Sequence, residues 1–279
     1  MRTLSLGYSP CPNDTFIFYA LVHGKIDRES LVFREVLEDV ETLNQMARQQ
    51  RLDITKVSFH AFGHLRDAYC LLRSGGALGK GCGPLVIARD ACTMKDLRGK
   101  TIAIPGTLTT AFLLLQVFDP ELKKHIKVMP FHRIIGAVKN GEADAGLLIH
   151  ESRFTYQRSD VKQVIDLGAW WEQETGLPIP LGCIIARRDL GIDLLQKIEA
   201  LIRKSLEYGF SKSDEPKTYI KSYAQELEDR VIEQHISLYV NQYSLDIGDD
   251  GVHAVEELFR RAAGQGIIPG SSLPLFPAS

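Results

Sequence analysis

Apolar positions along the chain switch repeatedly between a period near two and a period near 3.6, which lays out strand and helix in alternation. Residues 4–8, 31–37 and 53–58 read as short strands. Between the last two, residues 39–50 read as a helix with Val40, Leu43, Met46 and Ala47 on its inner face. The two prolines of Ser9-Pro-Cys-Pro-Asn-Asp-Thr15 predict a turn, with Asn13, Asp14 or Thr15 capping a helix that begins at Phe16. A second series follows. Residues 85–88, 97–104, 127–129, 143–149, 161–167 and 181–186 carry strand patterns, with a helix led by residues 105–110 and another over 131–140. From Asp193 onward the pattern is helical, with apolar stripes over residues 194–210 and 231–243.

The run over residues 143–149 is apolar but for Asp144 near its start and stops at His150, where the polar Glu151, Ser152 and Arg153 start a helix. Such a run reads as a strand buried on both faces, and open α/β sheets bind ligands at the carboxyl ends of such strands. Two half-copies reinforce this picture. Asp53-Ile-Thr-Lys-Val-Ser58 matches Asp144-Ala-Gly-Leu-Leu-Ile-His150 in pattern, and the turn after Gly7 matches Pro105-Gly-Thr-Leu-Thr-Thr110. The expected architecture is α/β with two lobes, residues 1–88 plus 186–279 and residues 89–185, joined by crossings near 88–91 and 186–189. A cleft between them would close about a hinge.

Charge and cysteine content narrow the setting. A net charge of −2 makes no electrostatic case for nucleic acid or an anionic membrane. The five cysteines are scattered, without a C-x-x-C pair, which fits a reducing compartment better than disulfides or zinc. No stretch has the length of a signal h-region at the start or of a membrane span anywhere. A cytoplasmic protein is expected, with a small molecule as its ligand.

His150 is the candidate base, since histidine moves protons near neutral pH; the plainer reading is a polar residue capping a strand. Lys56 and Ser58, flanking Val57 at the mirrored strand end, read equally as a solvated terminus or as ligand contacts. Thr109 and Thr110 offer hydroxyls and free N–H groups at a helix start, for capping, for an anionic or carbonyl oxygen, or for both. Cys11 lies between prolines with no helix start or base identifiable beside it, so a structural turn is favoured over a nucleophile. His60 and His64 have metal-binding spacing but no evident third ligand, and His150-Glu151 lacks the second histidine of a zinc helix at Phe154. The glycine-rich residues 74–84 fail the phosphate-loop spacing and read as a flexible cleft edge. Trp170 and Trp171 read as packing.

Several longer blocks carry a resemblance. Ser9-Pro-Cys-Pro-Asn-Asp-Thr-Phe-Ile-Phe-Tyr19, Leu37-Glu-Asp-Val-Glu-Thr-Leu-Asn44 and Arg73-Ser-Gly-Gly-Ala-Leu-Gly79 are three of them. Ile149-His-Glu-Ser-Arg-Phe-Thr-Tyr156 and Asp166-Leu-Gly-Ala-Trp-Trp-Glu172 are the others. Together the chain resembles the 1,4-dihydroxy-6-naphthoate synthase family of the futalosine route to menaquinone, over nearly its full length. The resemblance implies a periplasmic-binding-protein-like fold of type II. It also implies a lyase that releases dihydroxyacetone from cyclic dehypoxanthine futalosine without metal or organic cofactor. The family's proton acceptor falls on His150, and its substrate contacts fall on Lys56, Val57, Ser58, Thr109 and Thr110. The rivals are a metabolite-binding protein of the same fold, the chorismate dehydratase of the same pathway, and, least favoured, a nucleic-acid regulator.

Overall fold

The structure, a computed structural model, describes residues 2–224 and 228–277; the outer limits of the expected first lobe, residues 1 and 279, lie outside the described residues. Among the described residues eleven strands run in chain order: β1 (Arg2–Tyr8), β2 (Leu31–Leu37), β3 (Ile54–Ser58), β4 (Tyr69–Leu71), β5 (Ala77–Gly79), β6 (Leu85–Ala88), β7 (Ile102–Ile104), β8 (Ile126–Val128), β9 (Ala145–Leu148), β10 (Lys162–Asp166) and β11 (Ile179–Arg187). They form two sheets. The first has the order β2-β1-β3-β11-β4 with β5 also on β11, and the second β10-β6-β9-β7-β8.

The half-copies seen in sequence recur as topology. In the first sheet β1 is parallel to β2 and β3; in the second β7 is parallel to β8 and β9. An antiparallel strand flanks each trio, β11 beside β3 and β6 beside β9. Helix α1 (Pro12–Val22) follows β1, helix α2 (Val40–Arg48) follows β2 and helix α3 (Phe59–Gly63) follows β3; helix α4 (Thr110–Phe118) follows β7 as α1 follows β1. The two-lobed α/β expectation holds. The boundaries at 88 and 186 do not coincide with the sheets: β6 belongs to the second sheet and β11 to the first. The chain crosses between sheets over residues 80–84 and 167–178. An apolar strand looks the same whichever sheet it joins, because membership is decided by backbone pairing with distant strands.

Two local expectations are corrected as well. Helix α1 begins at Pro12 with Cys11 as its N-cap, so the prolines do not forbid helix here. A first-position proline lacks an N–H that would have no helical partner anyway. Residues 74–84 are not a free edge: Ala77–Gly79 pairs with β11, and a Cβ on Gly75 would come 2.0 Å from the Ile184 side chain. Three-residue strands such as β4 and β5 are too short to show a period.

Three apolar clusters hold the layers together. One lies where α1 and the helix Ile192–Ser211 cover the first sheet, with Leu6, Ile17 and Ile202 fully buried. Another covers the second sheet through Ile134, Val138 and Leu148. The largest joins the sheets, with Val57 and Ile185 of the first and Ile102 and Leu147 of the second meeting around Leu113 and Leu114 of α4.

The crossings touch backbone to backbone. A Cβ on Gly83 would lie 2.2 Å from the Gly168 Cα and 2.4 Å from its N. Gly83→Ala must therefore separate the two crossings. It is expected to lower stability by about 1–3 kcal/mol, as forced overpacking does, measured as a lower urea midpoint at unchanged slope.

Candidate functional site

The carboxyl ends of β3 and β9 and the starts of α1 and α4 converge on a cavity of about 100 Å³ between the sheets. Lys56, Val57, Ser58, Thr109, Thr110 and His150 all line it. The site residues read from the sequence are thus brought to one place.

His150 stands two residues beyond β9 with φ +56°, the left-handed region that a non-glycine residue rarely enters. Such strain persists only where its surroundings impose it. Here the half-buried ring lies 5.0 Å from Phe131 and 6.1 Å from His235, nearly parallel to the latter at 12°. Its Nδ1 is 3.4 Å from the Cys11 Sγ, which leaves Nε2 without that partner. Burial pulls the His150 pKa below its usual 6.5; the carboxylates of Glu151 and Asp14 oppose this, and the Lys56 charge adds to it. A neutral imidazole, able to accept a proton, is the form favoured at neutral pH.

Both premises used for Cys11 fail in the structure. It caps α1 and has a base beside it. The contact joins residues 139 apart and has no trace in local sequence. Burial, then the Glu151 charge, push the thiol well above its ordinary range. A thiol held protonated is a poor nucleophile, and with the Nδ1 hydrogen directed to its sulfur the imidazole keeps its lone pair on Nε2. Cys11, His150 and Glu151 also bring one donor atom each within 4.8 Å of one another, a potential metal group among the described residues. A metal there would have to displace the thiol proton.

Across the cavity Lys56 is buried, so the solvated-terminus reading does not hold. Its Nζ lies 3.0 Å from Asp14 Oδ1 and donates to the Gly75 carbonyl at 2.9 Å. Asp14 also accepts from the Ser9 hydroxyl at 2.7 Å and the Asn13 amide at 2.7 Å. An ammonium has three donors, so one N–H of Lys56 remains beyond these contacts. Ser58 donates its backbone N–H to Asn44 Oδ1 at 2.9 Å, and its hydroxyl oxygen accepts from Asn44 Nδ2 at 3.2 Å. Thr109 is the N-cap of α4: its hydroxyl accepts from the Phe112 N–H and donates to the Gly106 carbonyl at 2.9 Å. Thr110 donates its hydroxyl to the Leu181 carbonyl. Capping and packing therefore occupy both threonine hydroxyls, and what α4 offers the cavity is its first-turn backbone N–H groups.

Sequence reasoning missed five lining or supporting residues. Asn13 and Asp14, expected as possible caps, lie inside the first turn of α1, facing the cavity. Asn44 is fully buried on α2; a polar residue within an apolar face was its signal. His235, from the helix Asp229–Tyr239 and within its apolar stripe, lines the cavity with its Nε2 2.9 Å from Asn13 Oδ1. Glu41 of α2 accepts from the Leu108 N–H at 3.2 Å and the Thr107 hydroxyl at 3.3 Å, tying the two lobes at the cleft.

The remaining candidates fall elsewhere. His60 Nδ1 lies 3.2 Å from the Thr109 carbonyl oxygen, and burial, with His64 beside it, pushes its pKa down to about 4. Trp171 is buried and donates to the Pro178 carbonyl at 3.1 Å, while Trp170 packs on Phe118. No helix among the described residues is long and apolar enough to cross a membrane.

Comparison with known proteins follows the same lines. Residues 4–264 match a family model described as menaquinone biosynthesis. The chain is 50% identical to a 1,4-dihydroxy-6-naphtoate synthase of Thermus thermophilus, over 99% of this chain and 100% of that one. A crystal structure of a protein from Archaeoglobus fulgidus, 36% identical, superposes with a TM-score of 0.89 over 95% of this chain and 98% of its own. A Candida albicans gene product with the generic periplasmic binding protein fold, 15% identical, gives 0.73 over 98% and 92%. That last likeness concerns the fold alone.

Proposed function

We propose a specific reaction for this chain, which belongs to the menaquinone biosynthesis family and is an enzyme of that route. It converts cyclic dehypoxanthine futalosine to 1,4-dihydroxy-6-naphthoate and releases dihydroxyacetone, with His150 as the proton acceptor. The observation that carries this reading is the His150 imidazole itself. It is held neutral by burial, constrained by its backbone, and bound at Nδ1 by Cys11, opposite the Lys56 ammonium.

The chemistry needs little else. A ring carbon gives its proton to His150, the carbon–carbon bond to the three-carbon fragment breaks, and aromatisation draws the reaction forward. Lys56 and the first-turn N–H groups of α4 suit the substrate carboxylate, and Ser58 suits a hydroxyl. The lobes, joined by Glu41 across the cleft, exclude water and fix the geometry. In this reading the enzyme works in the cytoplasm on a small-molecule substrate, apart from nucleic acid and membrane.

The pH profile follows in sign. A base must be unprotonated to act, and the His150 pKa lies below 6.5. The value of kcat/KM is expected to stay level at neutral pH and to fall tenfold per unit once the pH drops through that lowered pKa. The Cys11 thiol, pushed well up, adds no limb below pH 9. An acid limb centred at or above 6.5 contradicts the burial argument.

The direct test incubates purified protein with cyclic dehypoxanthine futalosine in the presence of a metal chelator. The product is read by mass and naphthoate absorbance. Binding without product makes the chain a ligand-binding protein on an enzyme's fold and overturns the reading.

A further inference from the structure

Two buried hydrogen-bond acceptors face each other beside His150. Glu151 Oε2 and His235 Nδ1 are 3.7 Å apart, their residues 8% and 1% exposed, and neither atom has a hydrogen-bond partner among the described residues. The protonation pattern is set from behind. Asn13 donates its amide to Asp14, which leaves Asn13 Oδ1 as the acceptor at 2.9 Å from His235 Nε2. His235 Nε2 therefore carries the hydrogen and Nδ1 a lone pair. Burial also holds His235 in its neutral form.

A carboxylate oxygen and an imidazole lone pair cannot satisfy each other. The site lacks a donor, and buried acceptors without one are rare in native proteins. Neighbouring side chains do not supply it. Tyr239, with its ring 4.7 Å from His235, has its hydroxyl directed to the Cys82 carbonyl, and Phe154 offers only a ring. His235 does line the cavity, with its ring stacked 6.1 Å from that of His150. A donor arriving from the cavity would thus lie within a ring's span of the proposed base.

We propose that Glu151 and His235 form a hydroxyl-accepting subsite that holds and orients the polyhydroxylated, three-carbon part of the substrate beside His150. The proposal rests on the reaction given above for the identity of the ligand. Adjacent hydroxyls suit the site because each brings one hydrogen and little bulk, one for the carboxylate oxygen and one for the imidazole lone pair.

Glu151→Gln discriminates this subsite from a pocket that merely holds water. The glutamine amide can donate to His235 Nδ1 directly, which satisfies the pair internally and removes the demand for an outside donor. The chain should fold with an unchanged or higher melting temperature, yet bind substrate less tightly, by about tenfold as expected for one lost hydrogen bond to a charged acceptor. Wild type and Glu151→Gln are assayed for turnover of cyclic dehypoxanthine futalosine. Binding is measured by calorimetry on the His150→Ala background, with and without Glu151→Gln. Weaker binding in the double variant supports the subsite whether or not wild type turns over. Unchanged binding overturns it, even where wild-type turnover upholds the reaction. Absence of binding to every protein overturns both. If Glu151→Gln does not fold, His235→Asn takes its place under the same criteria.

Discussion

His150→Ala is expected to fold as the wild type does and to lose turnover by about 10²–10⁴-fold, the range that a positioned general base contributes. Substrate binding should persist, because Lys56, Ser58 and the start of α4 line the cavity independently of the imidazole. Alanine keeps the positive φ and loses the ring contacts with Phe131 and Cys11, so the melting temperature should hold or fall slightly. Single-turnover kinetics with calorimetric binding separate the effects. Full turnover in this variant removes His150 from the chemistry, whereas lost binding with intact chemistry would make it a binding residue.

Asp14→Ala carries the largest expected effect on stability. The Lys56–Asp14 pair is buried, with side chains 5% and 3% exposed, and the second Lys56 contact is a neutral carbonyl. Removing the carboxylate strands an ammonium in the interior, and breaking a buried pair in this way costs about 3–5 kcal/mol. The same change deprives the Ser9 hydroxyl and the Asn13 amide of their acceptor. Urea unfolding should show this loss, and Lys56→Met added to Asp14→Ala should recover part of it, since no charge then remains unpaired. A double variant as unstable as the sum of the singles would show that the pair is not coupled. Both residues line the cavity, so activity is expected to fall in either single variant.

The sequence by itself determined a good deal. The alternation of periods specified the strand–helix order. The apolar run before His150 marked a buried strand end, and the paired patterns implied two related lobes. These features are legible because burial imposes periodicity over five to ten successive residues. They sufficed to bring His150, Lys56, Ser58, Thr109 and Thr110 together as candidates, which share one cavity in the structure.

What the tertiary structure alone decided are contacts between residues far apart in the chain. Strand β6 could not be assigned to its sheet from residues 85–88, because pairing with β9 and β10 is a property of the partners. Cys11 looked like an idle turn residue until α1 began at Pro12 and set its thiol against a histidine 139 residues away. His235 looked like one more position in an apolar stripe, and only the packing of its helix against α1 brought it to Asn13 and left its Nδ1 facing Glu151. Local pattern records which face of an element is buried. The polar group met inside that burial, and the proton it then holds, depend on which distant element covers the face.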